Sequence, residues 1–285
     1  MSRTATARPA PGRQMPMPPA AFEPMPPAGA AREAAEPGPP GAAARPPFTM
    51  AFQPIVDLAS GAAPYAYEAL VRGTNGEGAA HVLSGIGGAD AAAFDAACRR
   101  RAVELAQRLG LPCHLSVNIS AEAVGHPAHG LLSTLEAARG LGFPERRLIF
   151  EISEHRALGD LRRAKAEIAA CRRRGALIAY DDFGAGYNCI AALLEIRPDI
   201  LKLDMSLIRG IDADVRRRSI MSAIHDVCRR LRIAVIAEGI ETRQEMDALR
   251  DLGIKLMQGY YFARPAIEHL PVPPSHMASL AAAVA

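Results

Sequence analysis

The stretch Ala176–Ile190, ALIAYDDFGAGYNCI, joins an apolar run to two adjacent carboxylates and then to glycines. Its apolar part, which ends at Tyr180, has the length and composition of a short buried strand. Asp181 and Asp182 follow at once, although neighbouring side chains on a strand point to opposite faces. We therefore expect the regular strand to end at Tyr180, so that both carboxylates can face the same way. An Asx turn followed by a helix N-cap is the alternative interpretation of these residues.

Composition limits the class of protein. The chain has 285 residues, of which 49% are hydrophobic and 22% are charged, enough apolar material for a sizeable core. The net charge of +3 is too small to favour a nucleic-acid polymer or an anionic membrane as partner. Trp is absent and aromatic residues make up 5%, so platforms for stacked bases are poorly supplied.

The cysteines and the N-terminus indicate a compartment. An odd number of cysteines without a CxxC pair suits a reducing cytosol and makes a zinc site improbable. The N-terminus lacks the apolar core of a signal peptide, and the sequence contains no run of about 18 apolar residues that could span a membrane. We expect a soluble cytoplasmic protein. The five cysteines are Cys98, Cys113, Cys171, Cys189 and Cys228.

Residues 1–47 differ in composition from the rest of the chain. They hold 13 of the 23 prolines together with 13 alanines, and they show no apolar periodicity. Such a segment cannot bury enough surface to offset the entropy of ordering it, so we predict a disordered tail. A plain linker or tail is favoured over a partner-binding or tethering role. The folded domain is expected to occupy residues 48–285.

From Phe48 onward, short apolar runs alternate with helical patterns. Eight strands that alternate with helices over about 230 residues predict an α/β fold, a (β/α)8 barrel. The strand candidates are Ala51–Val56, Tyr65–Val71, His114–Ile119, Leu148–Ile152, Leu177–Tyr180, Ile200–Leu203, Ala234–Ala237 and Leu256–Tyr260.

Three helices are predicted from a period of 3.6 residues. Their apolar faces are Phe94, Cys98, Ala102, Leu105 and Leu109 in the first, Leu161, Ile168 and Cys171 in the second (Leu158–Arg174), and Ile220, Ile224, Val227 and Leu231 in the third. Runs of arginine fall on or beside these helices, and we interpret them as solvated outer faces. These runs are Arg99–Arg101, Arg172–Arg174, Arg216–Arg218 and Arg229–Arg230.

Acid or amide groups stand near the ends of six consecutive predicted strands. If the strands form a barrel, five carboxylates meet at one mouth. Two unit charges about 4 Å apart repel by roughly 4 kcal/mol at an effective dielectric of about 20, so each group needs a raised pKa, a different orientation or a cation. The carboxylates are Glu68, Glu151, Asp181, Asp182 and Glu238.

The donor set indicates which cation. Hard oxygen ligands with one amide, Asn118, and neither His nor Cys favour Mg²⁺ or Mn²⁺ over zinc. More carboxylates than one octahedral ion needs argue for two ions that share a bridging Asp, an arrangement that serves in-line displacement at phosphorus. Lys202 from the same rim could hold the attacking water or offset charge on a phosphate.

Seven motifs in order, spread over residues 50–267, resemble those of the EAL-domain phosphodiesterases that hydrolyse cyclic di-GMP. They read YEALVR, SVNIS, FEISE, AYDDFGAGY, ILKLD, AEGIET and LMQGYYFARP. The resemblance implies a TIM-like barrel with one antiparallel strand, two Mg²⁺ or Mn²⁺ ions, a linear pGpG product and a homodimer. A silent module that binds cyclic di-GMP or a regulator is the alternative, as is a generic TIM-barrel hydrolase of another phosphate ester.

The resemblance also implies roles for single residues. Glu68, Asn118, Glu151 and Asp181 resemble the ligands of one ion, and Asp181 would bridge to a second ion held by Asp182 and Glu238. Lys202 resembles the residue that positions the water, with Glu238 as a candidate base. Substrate-side or supporting positions are Gln53, Leu70, Arg72, Glu241 and Gln258. Glu154 and the loop Phe183–Asn188, with Gly184, match the segment that couples a dimer interface to the second metal.

The region after the YEALVR strand departs from most members of this family. It is shorter, and Gly73 stands where an aromatic residue is common, which alters the wall that holds guanine. In these features, and in VRGTNGEGA and FDAACRRRA, the chain resembles the sub-group often fused to blue-light-sensing flavin domains. Residues 1–47 are too few to hold such a domain.

Overall fold

The structure is a computed structural model that describes residues 46–153, 160–185 and 189–274, without the side chains of residues 89 and 189–192. The predicted disordered tail therefore lies outside the described residues except for Pro46 and Pro47. Of the predicted coupling segment, Glu154 and residues 186–188 also lie outside them.

Strands and helices alternate along the described chain. The strands are β1 Phe48–Asp57, β2 Ala63–Gly73, β3 His114–Ile119, β4 Leu148–Ser153, β5 Leu177–Phe183, β6 Ile200–Leu203, β7 Ala234–Ala237, β8 Leu256–Met257 and β9 Ala266–Ile267. The helices are α1 Ala79–Leu83, α2 Ala89–Arg108, α3 Leu131–Gly140, α4 Leu161–Arg173, α5 Cys189–Ile196, α6 Met205–Ile208, α7 Val215–Leu231 and α8 Arg243–Asp251.

The strands close into a barrel, which confirms the predicted fold class. Strands β2 to β8 follow one another in parallel, and β1 lies between β8 and β2 and pairs antiparallel with both. The short β9 adds to β1, also antiparallel. The antiparallel strand is thus β1. Because all the other barrel strands run the same way, their carboxyl ends open at one mouth.

The barrel interior explains why charged residues gather at that mouth. A small apolar cluster fills the interior below it and is separate from the larger core between strands and helices. Side chains two residues apart on a strand face the same way. On the parallel strands, each residue of this cluster, which we call the plug, is therefore followed two positions later by a polar residue that faces the mouth. The pairs are Ala66 and Glu68, Ile149 and Glu151, Ala179 and Asp181, Ile200 and Lys202, and Ile236 and Glu238.

The carboxyl ends of β5 and β8 each differ by three residues from the sequence prediction. The structure continues β5 to Phe183 instead of ending it at Tyr180, and it ends β8 at Met257 instead of Tyr260. In β5 the pairing with β6 shifts between Tyr180 and Phe183, so the strand accommodates the two aspartates with a bulge rather than by stopping.

The helix α7 is present, but most of its predicted apolar face is exposed, and of that face Ile224 packs against the core. Ile220, Val227 and Leu231 are 56%, 48% and 54% exposed, whereas Met221 and Cys228 are buried. These three exposed residues and the two buried residues lie on adjacent sides of the same helix. A period of 3.6 residues identifies an apolar face, but it does not say whether another element covers that face.

The arginine runs are also only partly solvated. Arg99 is 1% exposed, because its guanidinium donates to Asp95, to the Thr134 hydroxyl and to the His129 carbonyl. A buried charge is tolerated when it is paired and hydrogen-bonded in this way. Within the described ranges, no helix combines the length and the apolarity that crossing a membrane requires.

Candidate functional site

The candidate site lies at the mouth formed by the carboxyl ends of the parallel strands. The predicted residues come from consecutive strands, or from the residue directly after one, so the barrel itself sets their spacing. Glu68 is on β2, Asn118 on β3, Glu151 on β4, Asp181 and Asp182 on β5, Lys202 on β6, and Glu238 directly after β7.

Asp182 explains how two consecutive carboxylates reach the same cluster. Its φ of +58° is left-handed, and the bulge in β5 lies at this point. Carboxylate oxygens of Asp181, Asp182 and Glu238 all lie within 4.8 Å of one another. Non-glycine residues in this conformation are uncommon and gather at functional sites, although Asp tolerates it better than most. The backbone thus turns the second carboxylate to the side of the first.

Lys202 stands at the centre of the acids. Its Nζ lies 2.7 Å from Oε1 of Glu238, 2.9 Å from Oε1 of Glu151 and 2.9 Å from Oδ1 of Asp181, with Oε1 of Glu68 at 3.8 Å. The side chain is 1% exposed. One ammonium therefore faces four carboxylates in a place without solvent, and the local charge is strongly negative.

Burial and this crowding shift the titration of the cluster. Burial alone would lower the pKa of Lys202, but the surrounding carboxylates outweigh it and hold its pKa well above the ordinary value. Burial, together with repulsion from Glu68, raises the pKa of Glu151 well above its usual range. Burial raises the pKa of Glu238 to about 8, although Lys202 opposes the shift. Lys202 is thus fixed as a cation, while Glu151 and Glu238 resist ionising.

Several of these oxygens lack hydrogen bonds of good geometry. Among the described residues, Oε2 of Glu151 is buried without a partner, whereas Oδ1 of Asp181 and Oε1 of Glu238 have only the Lys202 ammonium beside them. Buried polar atoms normally find partners, and one ammonium cannot satisfy this many carboxylate oxygens, so the cluster could hold a cation. An all-oxygen donor set of this kind fits Mg²⁺ or Mn²⁺.

A hydrogen-bonded frame holds the acid on β2. Gln258 donates from Nε2 to Oε2 of Glu68 at 2.7 Å and to Oε1 of Gln53 at 3.3 Å. Asn118 donates to Oε1 of Glu68 at 3.3 Å. Gln53 and Glu68 are opposite one another on the antiparallel pair β1–β2. The frame therefore links β1, β2, β3 and β8 around a single carboxylate.

Most of the predicted substrate-side residues line one cavity beside the acids, of about 270 Å³. They are Gln53, Leu70, Glu241 and Gln258, together with the acids Glu68, Asp182 and Glu238. Glu241 is held by an ion pair with Arg209 at 2.9 Å. Arg72 is not among the described residues that line this cavity, and its Nη1 donates to the Val71 carbonyl.

The described part of the predicted coupling segment begins beside the acids. Phe183 is buried, and Gly184 has a φ of +104°, where a Cβ would collide with Leu207. A side chain at Gly184 would thus be both strained and crowded. The path from Asp182 into the following loop therefore requires glycine.

Sequence reasoning missed several residues at the mouth. The Ser116 hydroxyl donates to Oε1 of Glu151 at 2.6 Å, and Ser116 precedes Asn118 by two residues on the same face of β3. That spacing could have identified it. Met205 and the half-exposed Tyr260 also line the cavity, and Arg264 stacks on the Tyr260 ring at 4.2 Å. Because the sequence prediction includes Tyr260 in the last strand, it does not identify Tyr260 as a residue of the cavity.

Comparisons with known proteins agree with this geometry. The model of the family described as EAL domain matches residues 41–265. A standalone versatile EAL protein from Vibrio cholerae O395, solved in a c-di-GMP-bound form, is 39% identical, with a TM-score of 0.74, over 81% of this chain and 97% of that one. BlrP1 of Klebsiella pneumoniae, solved as a manganese and cy-diGMP complex, is 28% identical with a TM-score of 0.73, over 81% and 59%.

Curated relatives are longer proteins. The probable cyclic di-GMP phosphodiesterase PdeG of Escherichia coli (strain K12) is 29% identical over 56% of this chain and 32% of its own length. The cyclic di-GMP phosphodiesterase PdeF of the same organism is 36% identical over 41% and 16%. The match therefore spans less than a third of either relative. From the family match over residues 41–265 and the barrel that carries its motifs, this chain belongs to the EAL-domain family.

Proposed function

We propose that the chain is a metal-dependent phosphodiesterase that hydrolyses cyclic di-GMP to linear pGpG. The observation that carries this proposal is the Lys202 ammonium amid Glu68, Glu151, Asp181 and Glu238, with buried carboxylate oxygens that a cation would satisfy. The c-di-GMP-bound Vibrio cholerae relative and the named phosphodiesterases support the choice of substrate.

The acids divide into two groups that could hold two Mg²⁺ or Mn²⁺ ions. Asp181, Asp182 and Glu238, whose oxygens cluster within 4.8 Å, suit one ion. Glu68, Asn118 and Glu151 suit the other, with Asp181 shared between them. When bound, such ions activate a water and stabilise the charge that develops on the phosphate. BlrP1 has been solved with manganese and with calcium, each together with cy-diGMP.

Two residues of the chain have different roles in handling the protons of the attacking water. Lys202 stays protonated, so it can donate a hydrogen bond to the attacking water but cannot remove its proton. Glu238, 2.7 Å from Lys202, is the candidate base. The water oxygen forms a bond to phosphorus, the bond from phosphorus to a ribose 3′ oxygen breaks, and a proton ends on that oxygen. The product is a linear dinucleotide with a 5′ phosphate.

Other features of the proposal concern the protein around the site. Residues 48–285 would form the catalytic domain, and the tail 1–47 would add nothing to the chemistry. The short connection after β2 supports the likeness to members fused to flavin domains. Free thiols at Cys98, Cys113, Cys171 and Cys228 suit the cytoplasm, the compartment we propose.

We propose further that two copies associate. The apolar stripe on α7, made of Ile220, Val227 and Leu231, is exposed in one copy. The loop that begins at Phe183 would connect such an interface to the acids. An exposed apolar stripe on a helix is typical of an interaction surface.

The alternative is a silent EAL module that binds cyclic di-GMP or a regulator without hydrolysis. The two are separated by incubating the purified protein with cyclic di-GMP and Mg²⁺, resolving the products by chromatography and measuring binding by calorimetry. We expect pGpG to form and excess chelator to stop it. Tight binding in Mg²⁺ with the nucleotide left cyclic would overturn the enzyme and support the module.

A further inference from the structure

A second and larger cavity lies behind the barrel wall, between the outer face of β1–β3 and the helices α1 and α2. It measures about 890 Å³, and we call it the wall cavity. Its inner wall is the outward face of the strands, including Met50, Val117 and Ile119, whereas the acids of the candidate site point from the opposite face. Most of the wall cavity therefore lies behind the sheet, on the side away from the acids.

Small side chains on the helix side leave this space open. Ala91 and Ala92 on α2 are only half-buried, although they face the barrel wall. At the entrance, Leu83 is 48% exposed. A Cβ added to Gly87 or Gly88 in the adjoining loop would meet no atom within 4 Å. The chain thus keeps apolar surface exposed where larger side chains would have closed the gap.

The charges of the cavity wall indicate which kind of molecule fits. Asp95 accepts from Arg99 at 2.5 Å and from the backbone N–H and hydroxyl of Ser120, so this buried pair is already neutralised. A charged ligand would lose its hydration with little compensation. Apolar walls with a few polar groups, enclosing a volume below about 1,000 Å³, are typical of small-molecule sites.

We propose that the wall cavity binds an uncharged, predominantly apolar small molecule. Its occupant would contact residues next to the candidate site, because Leu70 lines both cavities and Asn118, which donates to Glu68, borders the wall cavity. The phosphate-bearing substrate carries the charge that this wall disfavours. The inference concerns a separate site and does not rest on the proposed hydrolysis.

The test titrates the full-length protein with N-phenyl-1-naphthylamine, an uncharged dye whose fluorescence rises in apolar surroundings. We expect saturable binding of one dye per chain. Ala92→Phe should fill the space and weaken binding at least tenfold, and the milder Ala91→Leu covers the case in which Ala92→Phe does not fold. The matched control is Ala169→Phe, at an exposed position on α4, which should leave the affinity unchanged.

The position of the bound dye can be measured by energy transfer from an introduced Trp, because the chain has no Trp of its own. Leu83→Trp places a single donor at the entrance, whereas Leu194→Trp places one on α5, where Leu194 is 72% exposed. We expect energy transfer to the bound dye to be stronger from position 83 than from position 194.

Four results would overturn the proposal. The first is the absence of saturable binding, and the second is equal transfer from both Trp positions. The third is loss of binding in Val227→Asp, which would place the dye on the α7 stripe. The fourth is displacement of the dye by cyclic di-GMP in Ca²⁺, which would make the wall cavity part of the nucleotide site.

Discussion

The Nζ of Lys202 lies 2.7 Å from Oε1 of Glu238, and the Lys202 side chain is 1% exposed while that of Glu238 is 18% exposed. Lys202 therefore serves as the internal counter-ion of the acid cluster in addition to its proposed role in holding water. Removing one partner of a buried ion pair leaves the other charges uncompensated, which typically costs about 3–5 kcal/mol. Two consequences for the Lys202 side chain can be separated by experiment.

Lys202→Met should lower the free energy of unfolding in chelator by a few kcal/mol, and it should reduce turnover by orders of magnitude while cyclic di-GMP still binds. The matched control is Lys165→Met, which removes an exposed pair with Glu195 and should change stability by less than about 1 kcal/mol. Urea unfolding and a product assay measure the two effects. Equal stability of the two variants would show that Lys202 is not the counter-ion.

Asp181→Asn removes the proposed bridging charge while barely changing the side-chain volume. Hydrolysis should fall by orders of magnitude, because both ions would lose a shared ligand. In chelator the variant should be as stable as the wild type or more stable, since one of several crowded carboxylates is neutralised. Asp226→Asn, at an exposed helix position, is the control for the substitution itself. A variant that hydrolyses cyclic di-GMP at the wild-type rate would refute the bridge.

The barrel and the positions of its acids could be predicted from sequence because one rule, alternation along a strand, governs both the plug and the mouth. Glu151 and Lys202 each follow an apolar plug residue by two positions, and that pattern is visible in the sequence. The exposed stripe on α7 could not be predicted, since periodicity does not say whether another element covers a helix face. The left-handed backbone conformation at Asp182 could not be predicted either, because φ is a property of the folded chain.

Glu238 should make the metal-free protein less stable as the pH rises. Its pKa is about 8 in the folded state against 4.5 ordinarily, so between these values the folded state holds a proton that the unfolded state has released. Stability from this group is therefore lost as pH rises through that window, by at most about 1.4 kcal/mol per pH unit. Urea unfolding in chelator at pH 6, 7 and 8 measures the slope. Glu238→Gln should flatten it, and parallel curves for the two proteins would contradict the assignment.

Association of two copies through α7 should depend on its apolar stripe. Val227→Asp places a charge among Ile220 and Leu231 and should yield monomers at concentrations where the wild type is a dimer. Ser222→Asp, exposed on the same helix outside the stripe, should leave the dimer intact. Light scattering over a dilution series measures the oligomeric state of both variants. A wild type that stays monomeric at tens of micromolar would refute the proposed dimer, and a dimeric Val227→Asp would place the interface elsewhere.

The left-handed conformation of Asp182 separates the strain of the backbone from the chemistry of the carboxylate. Asn tolerates a positive φ, so Asp182→Asn should keep the wild-type stability in chelator to within about 0.5 kcal/mol. The β-branched Val does not tolerate it, so Asp182→Val should be less stable than Asp182→Asn by about 1–2 kcal/mol. Both variants should bind Mn²⁺ more weakly by calorimetry, because the cluster with Asp181 and Glu238 loses an oxygen ligand. The same pair of substitutions at Asp226, within α7, controls for intrinsic preference, since Asn and Val differ little in a helix. If Asp182→Val proves as stable as Asp182→Asn, the bulge does not hold residue 182 in the left-handed conformation, and another backbone path must bring the two carboxylates together.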